Sequence, residues 1–154
     1  MARIETDICI IGGGSGGLSI AAGAVQMGAR VVLIEGAEMG GDCLNAGCVP
    51  SKALIAAAKH AHAMTTGTPF GIKPVVPEVN FAAVKDHVAK VIATIAPLDS
   101  QERFEGLGVR VIREWARFTS PTEVQAGAHT ITARRFVIAT GSRPFVPPIP
   151  GVET

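Results

Sequence analysis

Two thiols, a proline and a lysine stand close together in this chain. Cys43 and Cys48 lie five positions apart and are followed by Pro50 and Lys52, within the run Gly-Gly-Asp-Cys-Leu-Asn-Ala-Gly-Cys-Val-Pro-Ser-Lys from Gly40 to Lys52. A thiol pair can give up two electrons and become a disulfide, so redox chemistry is expected here. In a regular helix the two residues would be separated by a rise of about 7.5 Å, beyond the roughly 4.4–6.8 Å between Cα atoms that a bridge tolerates. The segment therefore has to bend. Asn45, Ala46 and Gly47 allow this, since Gly carries no Cβ penalty and Asn tolerates unusual backbone angles. Pro50 biases Val49 away from helical geometry unless it falls in the first turn of a following helix. A bridge in so bent a segment is expected to be strained and therefore labile, as catalytic disulfides are. Two other readings stand beside this one: free buried thiols, or half of a zinc site, although no second Cys or His pair occurs at ligand spacing.

The elements that must position this dithiol begin near the N-terminus. Asp7 to Ile11 reads as a short buried parallel strand, with Cys9 as core packing. It runs into Gly12-Gly13-Gly14-Ser15-Gly16-Gly17, which fits G-x-G-x-x-G through Gly12, Gly14 and Gly17. In that pattern one glycine makes the turn, one lets the backbone approach a pyrophosphate and one lets helix pack on strand. The following helix, Leu18 to Met27, is expected to aim its unpaired N–H groups at the phosphates and to end at Gly28. A second buried strand, Val31 to Ile34, ends at Glu35, 18 positions after Gly17. That is near the interval for an acid that binds ribose hydroxyls and argues against a 2′-phosphate; an ordinary solvated loop acid is the alternative.

Beyond the dithiol, Ala53 to Met64 is expected to be helical, with His60 and His62 exposed or packing. A loop rich in Gly and Pro, Thr65 to Asn80, leads to a helix whose Phe81, Val84, Val88, Val91, Ile92 and Ile95 form a stripe for the core, with His87 toward solvent. Pro97 should break it, and Leu98 to Leu107 reads as a further helical piece. Short candidate strands follow at Val109–Arg113, Trp115–Thr119, Glu123–Ala126 and His129–Thr132, forming a small meander or hairpin. Phe136 to Ala139 is another buried strand, running into Thr140-Gly141-Ser142-Arg143-Pro144. The end, with Pro147, Pro148 and Pro150, reads as a connector.

Composition narrows the function classes. At 154 residues and 47% apolar content the chain can bury a real core. A formal charge of +1 gives no general attraction to nucleic acid or acidic membranes. The 22 uncharged residues from Ile8 to Ala29 imitate a membrane span, but seven are glycine, which points to strand, turn and helix instead. Three cysteines, an odd number, with no secretory leader, fit a reducing cytoplasmic setting in which a disulfide is catalytic rather than structural.

In this order the motifs resemble the N-terminal part of a class I pyridine nucleotide–disulfide oxidoreductase, the family of dihydrolipoamide dehydrogenase, glutathione reductase and mercuric reductase. The carriers are Gly12-x-Gly14-x-x-Gly17 with Glu35, the Cys43-to-Lys52 block, Trp115-Ala116-Arg117-Phe118, and Ala139-Thr140-Gly141. The resemblance implies an α/β, three-layer, Rossmann-like FAD-binding domain with a parallel sheet and a small antiparallel meander, incomplete at its C-terminal side. Residues 1–143 would belong to it, and 144–154 would lead to an NAD-binding domain outside this chain.

It also implies roles. FAD would lie with its pyrophosphate at Gly12, Gly14, Ser15 and Gly17, its adenosine ribose on Glu35 and its adenine at the Ala116 backbone, with Gly41, Asp42, Ala139, Thr140 and Gly141 close by. Cys48 would be the thiol in charge-transfer contact with the flavin, Cys43 would exchange with a disulfide substrate, and Lys52 would stand beside the flavin's reactive edge. Electrons would pass between NAD(P)H, flavin, dithiol and a small disulfide or lipoyl protein, with the full-length form a homodimer and no metal required. The family's catalytic His-Glu pair and nicotinamide domain lie outside these residues. A mercuric reductase and a non-catalytic nucleotide-binding module are the competing readings. One departure stands out: the usual Gly-Gly-Thr-Cys is Gly-Gly-Asp-Cys here, and an ionised Asp42 is expected to raise the pKa of Cys43.

Overall fold

The computed structural model describes residues 2–142 and 145–152. Six strands form one sheet in the order β3-β2-β1-β6-β5-β4. The central strand β1 (Ala2–Ile11) runs parallel to β2 (Val31–Ile34) on one side and to β6 (His129–Ile138) on the other, and β2 runs parallel to β3 (Arg110–Ile112). The antiparallel part is β4 (Ala116–Ser120), β5 (Glu123–Ala126) and the first half of β6.

From Ile8 to Ile11 of β1 and along β2 and β3, side chains alternate between two cores, as the strand period of two requires. Ile10, Val31, Leu33 and Val111 face one side, where Leu18 and Ala21 of helix α1 (Ser15–Gln26) and Phe104 of α5 (Gln101–Gly106) close over them. Cys9, Val32, Ile34 and Ile112 face the other, against Val124 and Ala126 of β5 and Ile131 and Ala133 of β6. Helices thus make one outer layer and the antiparallel strands the other. Phe104, 2% exposed, anchors the helical layer, and burial of a side chain that size contributes about 1.5–3 kcal/mol.

The structure corrects several expectations. His129–Thr132 and Phe136–Ala139 are not two strands but the ends of one, β6, joined through the exposed Arg134 and Arg135, where a charged pair hides the continuity. Val109–Arg113 does not belong to the meander: its core, β3, lies at the opposite edge, parallel to β2. Strand β1 starts at Ala2, because Arg3-Ile4-Glu5-Thr6 alternates exposed and buried and extends the apolar run. The glycine-rich stretch from Ile8 to Ala29 is strand, turn and helix as expected, and no helix among the described residues is long and apolar enough to cross a membrane.

Between β2 and β3 come α2 (Gly41–Asn45), α3 (Cys48–Thr65) and α4 (Phe81–Ile95). The apolar stripe of α4 does not enter the sheet core. Val84, Val88, Val91, Ile92 and Ile95 are half-buried and α4 packs against α3, while Phe81 is exposed. His60, His62 and His87 are all exposed. Pro97 falls in a 3-10 turn, Ala96–Asp99, that separates α4 from α5. The expected domain boundary at Arg143 and Pro144 lies outside the described residues; residues 145–152 form neither helix nor strand.

Candidate functional site

The tightest backbone geometry in the molecule surrounds the glycine hexad. Gly12 has a φ of +111°, and a Cβ there would sit 2.2 Å from the Ala139 carbonyl oxygen. A Cβ on Gly17 would sit 1.9 Å from the Gly12 carbonyl oxygen and 3.3 Å from Ile10 Cγ2, so this glycine is what lets α1 press onto β1. Gly14 differs: an added Cβ would meet nothing nearer than Gly41 Cα at 3.7 Å. Its surroundings are open, as backbone that admits a ligand must be. Gly14 is also the N-cap of α1 and provides no side-chain cap, and no acidic residue occupies the first turn. The helix therefore presents its positive end uncapped, the arrangement that receives phosphate.

These residues border a cleft of about 700 Å³ along the C-terminal ends of the parallel strands. It brings together Gly12, Gly14, Glu35, Gly41, Asp42, Ala116, Ala139, Thr140 and Gly141, nine of the positions singled out from sequence. Gly17 packs α1 on β1 and does not line the cleft, nor does Ser15, the first residue of α1, although it follows Gly14 directly. Glu35 is half-buried; its Oε2 accepts from the Gly13 N–H at 2.5 Å and its Oε1 from the Ala37 N–H at 2.6 Å. A carboxylate offers about four lone-pair sites, so acceptor capacity is left for a ligand's hydroxyls. An uncapped helix end, an open glycine and an acid in one cleft fit the pyrophosphate and ribose of a dinucleotide. The residues present therefore match FAD's adenosine half.

The dithiol lies on two successive elements, of which α2 starts at Gly41 in the cleft wall and α3 follows it. Helix α2 ends at Asn45, whose Nδ2 donates to the Met39 and Gly41 carbonyls, and Ala46 (φ −136°, ψ −17°) and Gly47 (φ −107°, ψ −103°) turn the chain before α3. That break supplies the bend anticipated between the cysteines. Cys48 is the first residue of α3, which places Pro50 in the first turn, where its missing N–H costs nothing. Lys52 follows one turn after Cys48 on the same face.

Cys43 is half-buried and Cys48 exposed, and both are free thiols. The Cys43 thiol is held above its ordinary pKa, first by hydrogen bonding with the Cys48 sulfur beside it, then by desolvation and by the charge Cys48 carries as a thiolate. Lys52 pulls it down and Asp99 pushes it up. The sequence places that last influence on Asp42. The structure moves it to Asp99, in the turn after α4, and lays the Asp42 carboxylate against Gly47, whose added Cβ would meet Asp42 Oδ2 at 2.6 Å. Among the described residues no group of three or more His, Cys, Asp or Glu side chains is arranged to hold a metal. The third cysteine, Cys9, is fully buried in β1, and burial pushes its thiol up to about 12.

Sequence reasoning missed part of the cleft wall. Gly36, Ala37 and Glu38 after β2, and Glu114 and Trp115 before β4, line it. Trp115 stands in the motif around Ala116 but has no role of its own there, and only adjacency to Glu35 and Ala116 could have pointed to the others, since two loops far apart in sequence meet there.

Comparisons with known proteins agree with this geometry. A family described as pyridine nucleotide-disulphide oxidoreductase matches residues 6–154. The chain is 38% identical to dihydrolipoyl dehydrogenase of Thermus scotoductus over 90% of its own length and 30% of that protein. It is 33% identical to mercuric reductase of Lysinibacillus sphaericus over 96% of its length and 27% of that one. The HOCl-induced flavoprotein disulfide reductase RclA of Escherichia coli, solved as a Cu(II) complex, aligns with a TM-score of 0.76 and 25% identity, over 96% of this chain and 30% of that chain. The chain thus spans about a third or less of these relatives. Matched over nearly all its residues, with its glycine cradle, acid and dithiol in the order the resemblance requires, the chain belongs to the pyridine nucleotide-disulphide oxidoreductase family.

Proposed function

We propose that this chain is the FAD-binding, dithiol-bearing part of a flavoprotein disulfide oxidoreductase of dihydrolipoyl dehydrogenase type. One observation carries the reading: two thiols that interact with each other, with a lysine one turn after the second, on a segment whose Gly41, Asp42 and Asn45 line a cleft that fits a dinucleotide. Gly12, Gly14 and the N-terminus of α1 would hold the pyrophosphate, Glu35 the ribose, and Ala116 with Ala139, Thr140 and Gly141 the remaining wall. Bound there, FAD would supply a two-electron carrier between a nicotinamide and the dithiol.

The chain's own residues perform the thiol chemistry. Deprotonated Cys43 attacks one sulfur of a substrate disulfide, forming a mixed disulfide and expelling the other substrate sulfur, which takes up a proton. Cys48 as a thiolate then attacks Cys43 Sγ. The Cys43–Cys48 bond forms, the mixed disulfide breaks, and the second substrate thiol leaves; the protein pair has lost two electrons and the substrate has gained them. Lys52, by favouring negative charge nearby, assists formation of the attacking thiolate. Run in reverse, the same steps oxidise a dihydrolipoyl group.

Supporting the lipoyl type is the 38% identity with the Thermus enzyme. The nicotinamide site, the acid-base partner and a homodimeric contact belong in this reading to residues outside the chain, residues 144–154 lead toward them, and the setting is cytoplasmic. The test is a visible spectrum of the protein with FAD. Cys43→Ser should develop long-wavelength thiolate-to-flavin absorption without reductant, and Cys48→Ser should show none. Identical spectra would refute the two roles, and a flavin that a simple dithiol such as dithiothreitol reduces but dihydrolipoamide does not would refute the substrate class.

A further inference from the structure

We propose that Trp115 is the aromatic platform for the adenine base of the bound dinucleotide, and that Gly36 exists to seat its ring. The inference rests on the FAD reading above and gives a side-chain role to Trp115, which in the sequence is named only as part of the motif around Ala116, whose backbone the resemblance assigns to adenine.

The sheet order sets the argument. Along the C-terminal edge of the parallel strands, β1 leads to the glycine cradle, its neighbour β2 ends at Glu35, and the next strand, β3, exits into Arg113, Glu114 and Trp115. A ligand with phosphates over the first and ribose at the second must carry its base to the third, about 10 Å away at two strand spacings. Trp115 stands there. It lines the same cleft as Gly14 and Glu35.

Its ring is held by what lies behind it. A Cβ on Gly36 would fall 2.5 Å from Trp115 Cδ2, 2.8 Å from Cε2 and 2.9 Å from Cε3, so the indole is seated directly on a backbone that only glycine leaves bare. The two loops are clamped beside this contact by Arg113, whose guanidinium donates to the Ala37 carbonyl, and by the Glu35 N–H, which donates to the Ile112 carbonyl at 2.9 Å. Yet Trp115 remains 72% exposed. A large aromatic fixed on one side and open on the other, at the base end of a nucleotide cleft, presents a π-face to a flat heterocycle. Glu114 lines the cleft beside it, with its carboxyl packed toward Gly127.

Trp115 is the chain's single tryptophan, so its fluorescence reports the site directly. ADP is the probe, since it lacks the flavin and does not absorb indole emission. ADP should change the emission saturably. Calorimetry should show Trp115→Ala weakening both ADP and FAD about tenfold, with Trp115→Phe within about threefold of the parent, because stacking on a base tolerates another aromatic ring. Gly36→Val should unseat the ring and lose as much, and Gly36→Val with Trp115→Ala should lose no more than either alone. FAD and ADP binding Trp115→Ala as tightly as the parent, or unchanged emission at saturating ADP, would overturn this inference and leave the flavoprotein reading intact. A parent protein that binds neither nucleotide would overturn both.

Discussion

Three cysteines of one chemical type are made three different reagents by their surroundings. Cys9 is shut inside the sheet with its thiol pushed up to about 12, so it stays protonated at neutral pH. Iodoacetamide on the native protein at pH 8 should therefore label Cys48 and Cys43 and spare Cys9, read by peptide mass spectrometry; prompt labelling of Cys9 would contradict its burial. The same shift has a stability consequence. Between a thiol's ordinary value and pH 12 the unfolded chain releases this proton while the folded chain keeps it, so stability falls as pH rises through that window. Cys9→Ala should flatten the fall between pH 8.5 and 10.5 in urea titrations relative to the parent. For Cys43 the first cause of its elevated value is Cys48, so Cys48→Ser should shift the pH profile of Cys43 alkylation toward lower pH. A profile unmoved by that substitution would assign the elevation to desolvation instead.

At the scale of elements, the loop from β1 into α1 separates Gly17, which only builds the fold, from Gly14, whose open side faces the cleft without packing on the fold. Gly17→Ala forces a Cβ to within 1.9 Å of the Gly12 carbonyl oxygen, and since both partners are backbone, strain of about 1–3 kcal/mol or more is expected. Gly14→Ala has room at an ordinary extended φ of −83°, so it should leave the urea midpoint nearly unchanged and weaken nucleotide binding instead. Equal losses of stability in the two variants would refute this division of labour. The hexad pattern was legible as letters, but its three glycines look alike in sequence. Gly12 and Gly14 both border the cleft, and which of them is also tightly packed depends on Ala139 and Gly41, which are distant in the chain and arrive only with the fold.

For the whole molecule, β6 is the seam. It pairs with β1 from Ala2↔His129 to Ile11↔Ile138 while its first half also pairs with β5, so the parallel sheet and the antiparallel layer share one strand and one core. The α3–α4 hairpin, by contrast, contributes only Ala53 to the buried set. Hydrogen exchange should therefore show β1 and β6 amides opening only with global unfolding, and α3 and α4 amides through cheaper local opening. Uniform protection across both would contradict the separation. What the sequence by itself determined was local: the apolar runs of β1 and β2, the glycine turn, the acid at the end of β2, and the bend between Cys43 and Cys48, each set by neighbours within a few residues. Tertiary structure alone decided that β3 joins the far edge, that β6 runs unbroken through Arg134 and Arg135, that Asp99 rather than Asp42 acts on Cys43, and that Trp115 rests on Gly36. Each of these joins segments far apart in the chain, and the periodicity and spacing of a single segment carry no information about a partner that only burial brings near.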